Sequence, residues 1–174
     1  IGPGADKIFA MRCGLQRFDG AVQGWDNRRL HYRRAIFLDR DGVIIRQIES
    51  ATTQLNICVF TISDDSITNS LLTVHKKGVP IKLITDNDKS FDVGSDVEQL
   101  ARAGIAVKMD TTPNHMHHKF MVTDQRTLLT GSYNWTSSAA RYNHENILVT
   151  REAGVVKSFA QQFDQLWNVM AKFE

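Results

Sequence analysis

The chain has 174 residues, 42% of them apolar and 23% charged, and a net charge of +2. That balance suits one globular domain of ordinary size. It excludes a mostly disordered, collagen-like or coiled-coil chain, and no apolar run is long enough to propose a membrane-spanning helix. The first residue is Ile1 rather than Met, which is compatible with loss of an upstream targeting or membrane-anchoring segment. Two cysteines, Cys13 and Cys58, are too few for a zinc site of their own; a single disulfide is open to them, but nothing requires one.

Charge is uneven along the chain. Residues 1–34 hold seven Lys/Arg against three acids, a net +4, so the remaining 140 residues sum to −2. This Gly-containing stretch has no clear period and is expected to be a basic arm, with room for a short strand or helix. The folded domain is expected over 35–174. Ala35–Leu38 reads as a short apolar strand. A helix follows with Ile44, Ile48, Ala51 and Leu55 on one face, capped by Asp39 or Asp41. Leu55–Ile62 is a β-rich run. Ser63-Asp64 opens a second helix with Ile67, Leu71, Leu72 and Val74 inward, and Gly78 ends it. Val79–Thr85 is a strand whose Pro80 suggests an edge position. Asp86–Gly94 is a polar loop, 95–103 a helix, and Ile105–Met109 a strand. Lys119–Thr123 and Thr127–Thr130 form a hairpin turning at Asp124-Gln125-Arg126. Asn146–Thr150 is a last strand. Val155, Val156, Phe159, Phe163, Leu166, Trp167 and Met170 make one stripe of a long terminal helix. The order implies an α/β fold, with a sheet parallel early and mixed later.

The densest polar stretch runs from Met116 to Asn146. In it His117, Lys119 and Asp124 fit H-x-K-x4-D, Gly131-Ser132-Tyr133-Asn134 fits G-S-x-N, and Glu145 stands eleven residues beyond Asn134. This pattern resembles the phospholipase D superfamily, with every element at the family spacing. Val74–Asp88 is similar to the helix-to-strand segment of the same family. Met116–Asn134 and Asn143–Asn146 resemble its small single-motif members, the bacterial Nuc-type endonucleases and the Zucchini or mitochondrial phospholipase D-like group. The likeness covers roughly residues 36–170. One departure is the lack of cysteines for the zinc module that the Zucchini group often carries. The resemblance implies a phospholipase D-like mixed sheet flanked by helices on both faces.

The residues support that chemistry independently. On a strand His117 and Lys119 would share a face. Lysine there neutralises phosphate oxygens, and a neutral imidazole is a competent nucleophile near pH 7. Glu145 is expected to accept the other ring N–H of His117, as a triad carboxylate does. Ser132 and Asn134 offer neutral donors. Asp124 is expected to hold the hairpin turn rather than react. The resemblance implies that His117 attacks phosphorus to give a phosphohistidine, while a second histidine protonates the leaving oxygen. That requires two motifs. His75-x-Lys77 begins like a second, but Lys82 stands where Asp is needed. The expectation is therefore a homodimer sharing one active site, with no cofactor and no metal.

Other readings compete. His115 can share the face of His117 and touch substrate, whereas His118 should point away, so a metal cluster of His115, His117 and His118 is disfavoured. Ile36–Gly42 (IFLDRDG) is similar to the first motif of haloacid-dehalogenase-type phosphatases, with Asp39 as nucleophile and Thr85 in the second motif; the acidic pair for magnesium is missing. Tyr133 and Tyr142 are candidates for base stacking and Trp135 for the core. Arg141 is a candidate substrate contact, and Arg28, Arg29, Arg33 and Arg34 are candidates for tracking phosphates. Together these favour a metal-independent endonuclease on single-stranded RNA or DNA. The alternative is a phospholipase acting on cardiolipin or another phospholipid, which would need an apolar entrance or a membrane anchor not visible in the sequence. A non-catalytic nucleic-acid-binding dimer comes third. Intracellular, mitochondrial association is implied only by the family resemblance.

Overall fold

A computed structural model describes residues 7–11 and 40–174. The expected strand at Ala35–Leu38, Asp39, Cys13 and the Arg28–Arg34 cluster lie outside the described residues. Within the arm, Lys7–Met11 forms a strand, β1. The elements that follow are α1 (Arg40–Glu49), β2 (Leu55–Val59), β3 (Ile62–Ser63), α2 (Asp65–Lys76), β4 (Ile81–Thr85), α3 (Asn87–Ser90), α4 (Val97–Arg102) and β5 (Ala106–Met109). After them come β6 (Lys119–Thr123), β7 (Thr127–Gly131), β8 (Trp135–Thr136), α5 (Ser137–Tyr142), β9 (Glu145–Thr150), α6 (Ala153–Val169) and β10 (Ala171–Lys172).

Eight strands form one sheet in the order β1-β9-β7-β6-β2-β4-β5-β10, while β3 and β8 pair separately. β2, β4 and β5 are parallel and linked by helical crossovers; β6, β7, β9 and β1 are antiparallel. This is the mixed sheet that the strand–helix order implied, with helices on both faces. On one face Ile44 and Ile48 of α1, Ile67 and Leu71 of α2 and Leu100 of α4 pack on Ile57, Leu83, Met121 and Leu129. On the other, Val156, Ala160 and Phe163 of α6 pack on Cys58, Ile84, Phe120 and Val122. Alternation along the strands sends successive residues to opposite cores, which is why the central strands read as unbroken apolar runs. Cys58 is a free thiol there, its pKa pushed up by burial. No helix among the described residues is long and apolar enough to cross a membrane.

Local chemistry explains several boundaries. Asp64 caps α2, accepting from the Ser66 and Ile67 amides at 3.0 and 3.3 Å. Gly78 ends the helix region with φ +89°, a conformation that costs other residues. Leu55 is not the last turn of the first helix but the first residue of β2: α1 stops at Glu49, and Leu55 pairs with both Ile81 and Thr123. The inference that Pro80 marks an edge also fails. β4 is an interior strand between β2 and β5, and Pro80 sits one residue before it, contributing only its carbonyl, to the Leu55 amide at 2.9 Å. Nor is Glu145–Thr150 the last strand, because β10 pairs with β5 after α6.

Candidate active site

The site gathers where strand ends meet. The parallel strands β2 and β4 exit at Phe60 and Asp86, and antiparallel β6 enters beside β2 through the Val59–Lys119 pair. β7 exits at Gly131, opposite Ile147 of β9, which places Ser132 and Glu145 at the same end of the sheet. Gly131 admits no side chain: a Cβ there would lie 2.0 Å from the Asn146 carbonyl oxygen. The glycine lets two backbones touch, and the Asn146 carbonyl accepts the Ser132 amide at 3.2 Å.

His117 precedes β6 rather than lying within it, yet the expected pairing with Lys119 holds. The Lys119 ammonium is 3.1 and 3.2 Å from the two ring nitrogens of His117 and donates to the His117 carbonyl at 2.9 Å. Lys119 is buried. Burial lowers its pKa, and the negative charge of Glu145 opposes the shift. Desolvation, then Lys119 and His115, draw His117 below the 6.5 of an ordinary imidazole, against an opposite pull from Asp86. The neutral, nucleophilic form is thereby favoured. His118 turns to the other face and meets Phe120 edge-on, with ring centroids 5.5 Å apart.

Glu145 does something other than expected. One carboxylate oxygen accepts a short hydrogen bond from the Ser132 hydroxyl, and the other accepts from the Asn143 amide at 3.0 Å. Both oxygens are committed to these neighbours rather than to the His117 ring. Ser132 in turn accepts the Asn146 amide at 3.1 Å. The buried Oδ1 of Asn134 has no hydrogen-bond partner.

Of three further candidates from the sequence, Tyr133 and Asp124 lie elsewhere. Tyr133 is 2% exposed and its hydroxyl donates to the Thr136 carbonyl, so it belongs to the core with Trp135 and cannot stack on a base. Arg141 is exposed in the last turn of α5, beside the 77% exposed Tyr142. Asp124 stands at the far end of β6, about 17 Å from Lys119 at about 3.3 Å per residue. It anchors the 52–54 loop, accepting from the amides of Thr52, Thr53 and Gln54 and from both threonine hydroxyls at 2.8–3.1 Å. Burial alone would raise its pKa, but the Gln54 and Thr53 amides and the threonine hydroxyls outweigh it and hold the carboxyl well below the usual range.

Two residues were missed. Phe60 sits between the histidines, 5.3 Å from the His115 ring and 4.6 Å from that of His117, with the Lys119 ammonium 5.2 Å from its centroid. Asp86, fully buried, reaches His115 and the Met116 amide. Their position at the carboxyl ends of parallel strands, where α/β folds place ligands, was the available clue. Asp86, Asp88 and His115 bring potential ligand atoms within 4.8 Å of one another, but the Asp86 oxygens already accept protein donors. Thr85, raised by the phosphatase comparison, is buried with its hydroxyl on the Phe60 carbonyl.

A histidine and a lysine side by side at the mouth of a mixed sheet, with a serine–glutamate pair on the next strands, define a phospholipase D-like site. Residues 44–167 match the family model described as "Cardiolipin synthase, PLD-like domain", and the chain belongs to that family. The curated relative from Chlamydomonas reinhardtii, named mitochondrial cardiolipin hydrolase, is 49% identical over 120 residues, 69% of this chain and 54% of the relative. Proteins of the same name from Xenopus laevis and Homo sapiens are 42% and 36% identical over 125 residues, 72% of this chain and 60% and 50% of theirs. The chain thus spans little more than half the length of these relatives. Among solved structures, Nuc, a phospholipase D family member from Salmonella typhimurium, superposes with a TM-score of 0.71 at 25% identity, covering 76% of this chain and 89% of that one. NucT from Helicobacter pylori shares the fold, with a TM-score of 0.70 at 18% identity over 75% of this chain and 89% of its own.

Proposed function

We propose that this chain is the catalytic domain of a phosphodiester hydrolase that cleaves a phospholipid of the cardiolipin class at a mitochondrial membrane. The observation that carries the reading is the His117–Lys119 pair, 3.1 Å apart at the strand-end mouth. A ring nitrogen of His117 forms a P–N bond as the bond from phosphorus to the departing alcohol breaks. An imidazolium, the His117 of a second copy of the chain, gives its proton to the departing oxygen. Water then cleaves the P–N bond, returning a proton to that imidazole and freeing His117. Lys119 moves from the His117 ring onto the phosphate oxygens, whose negative charge it offsets through the transition state.

The choice of lipid reverses the preference drawn from the sequence. The named relatives at 36–49% identity support it. Two exposed apolar side chains, Phe91 and Val93, follow α3 and offer surface that a lipid could cover, with Phe91 stacked on Phe173. Burial of Tyr133 removes one of two base-stacking candidates. Single-stranded nucleic acid is the second reading, favoured by the likeness to Nuc and by the exposed Arg141 and Tyr142.

The test is parallel incubation, in EDTA, with cardiolipin vesicles, single-stranded RNA, single-stranded DNA and duplex DNA. The expected result is lipid hydrolysis that persists in chelator and disappears in His117→Ala, a loss of about 10³-fold or more, with the fold retained. Cleavage of nucleic acid without lipid turnover would overturn the lipid reading, and undiminished turnover by His117→Ala would overturn the mechanism.

A further inference from the structure

Asp86 is a carboxylate with no exposed surface, and its partners are all donors. Its Oδ1 accepts the Lys89 amide at 3.1 Å. Its Oδ2 accepts the Met116 amide at 3.0 Å and lies 3.1 Å from Nδ1 of His115. Burying a carboxylate costs several kcal/mol unless donors satisfy it, so this arrangement constrains the groups around it. Met116 immediately precedes His117. On the other side, the His118 carbonyl accepts the Phe60 amide at 3.0 Å. The backbone of His117 is therefore pinned at both neighbours, and one of the two pins is Asp86.

The same oxygen sets the state of a second imidazole. A carboxylate only accepts, so Nδ1 of His115 must carry the hydrogen, which leaves Nε2 as the outward-facing nitrogen. The His115 side chain is half exposed and rests edge-on against Phe60, the ring that also contacts His117. Its outward nitrogen thus borders the same mouth as the nucleophile.

We propose that Asp86 is a positioning residue of the active site: it fixes the tautomer of His115 and holds the 115–117 segment so that His117 and His115 face one phosphate together. This rests on the phosphodiesterase reading for its catalytic consequence, but its structural half can be tested separately. Asp86→Asn keeps the shape and replaces one acceptor with a donor, which must then oppose Met116 N–H, Lys89 N–H or His115 Nδ1–H.

Two measurements decide it. Imidazole ¹⁵N spectra of the native chain should show His115 in the Nδ1–H form, and Asp86→Asn should lose that preference. Steady-state kinetics on bis(4-nitrophenyl) phosphate and on cardiolipin vesicles should show kcat falling about 10–100-fold in Asp86→Asn with KM little changed, as expected for a misplaced nucleophile. His115→Ala should matter much less in the Asp86→Asn background than in the native one. If Asp86→Asn does not fold, His115→Ala alone carries the kinetic test, with at least a tenfold loss of kcat expected. An unchanged His115 tautomer, native kcat in Asp86→Asn, or strictly additive losses would overturn the proposal. A native chain inactive on every diester, yet showing the tautomer change, would instead overturn the functional reading.

Discussion

His117 has an exposed imidazole, slightly desolvated, with a lysine ammonium at hydrogen-bond distance. Both influences disfavour the imidazolium, so the acid limb of kcat/KM, where the nucleophile becomes protonated, should fall below the 6.5 of an ordinary histidine. Activity is then kept as pH drops through 6.5 and lost only further down. Replacing Lys119 with Gln removes one of those influences and should move the limb upward; a limb at or above 6.5 in the native chain would contradict this electrostatic picture. The motif residues themselves were legible because their spacing is local: two positions on one extended segment share a face whatever the rest of the fold does. The partner of Glu145 was not. It depends on which side chains reach across from β7 and from the 143 loop, and Ser132 and Asn143 reach it before His117 does.

The β6–β7 hairpin turns tightly, with the Arg126 amide donating to the Thr123 carbonyl and φ of 52° and 57° at Asp124 and Gln125. That is a type I′ turn built without glycine, and left-handed backbone costs roughly 1–2 kcal/mol per residue. The Asp124 carboxylate offsets the cost by tying the turn to Thr52, Thr53 and Gln54. Asp124→Ala should therefore lower stability by about 2 kcal/mol in denaturant unfolding, while the folded fraction keeps far more activity than His117→Ala. Because the folded carboxyl lies below the 3.8 of an ordinary aspartate, its contribution is complete above that pH and shrinks as pH falls below it. The native and Asp124→Ala melts should thus converge in acid. At this scale the hairpin and terminal helix were readable from periodicity. Leu55 was not, since a residue at the fourth step of a helical stripe can equally start a strand, and β10 is too short to declare itself without β5 beside it.

In the whole molecule a single complete H-x-K-x4-D motif begins at the end of one sheet. The proposed reaction needs a nucleophile and a separate acid, and the proposal assigns the acid to the His117 of a second copy. Sedimentation should give a mass near twice 19.7 kDa. Mixing the native chain with excess His117→Ala should lower activity per native chain, because mixed pairs lack one imidazole. A fully active monomer would rule out a shared site.

By itself the sequence determined the α/β class and nominated a set of side chains able to handle a phosphodiester, since the first follows from periodicity and the second from short-range spacing. Only the tertiary structure decided which of them meet. Phe60, Asp86 and His117 flank different strands, and their proximity depends on the β2–β4 and β2–β6 registers; the burial of Tyr133 is likewise a product of packing. Pattern along a chain reports the face a residue occupies; register across the sheet, a long-range property, determines which strand ends converge.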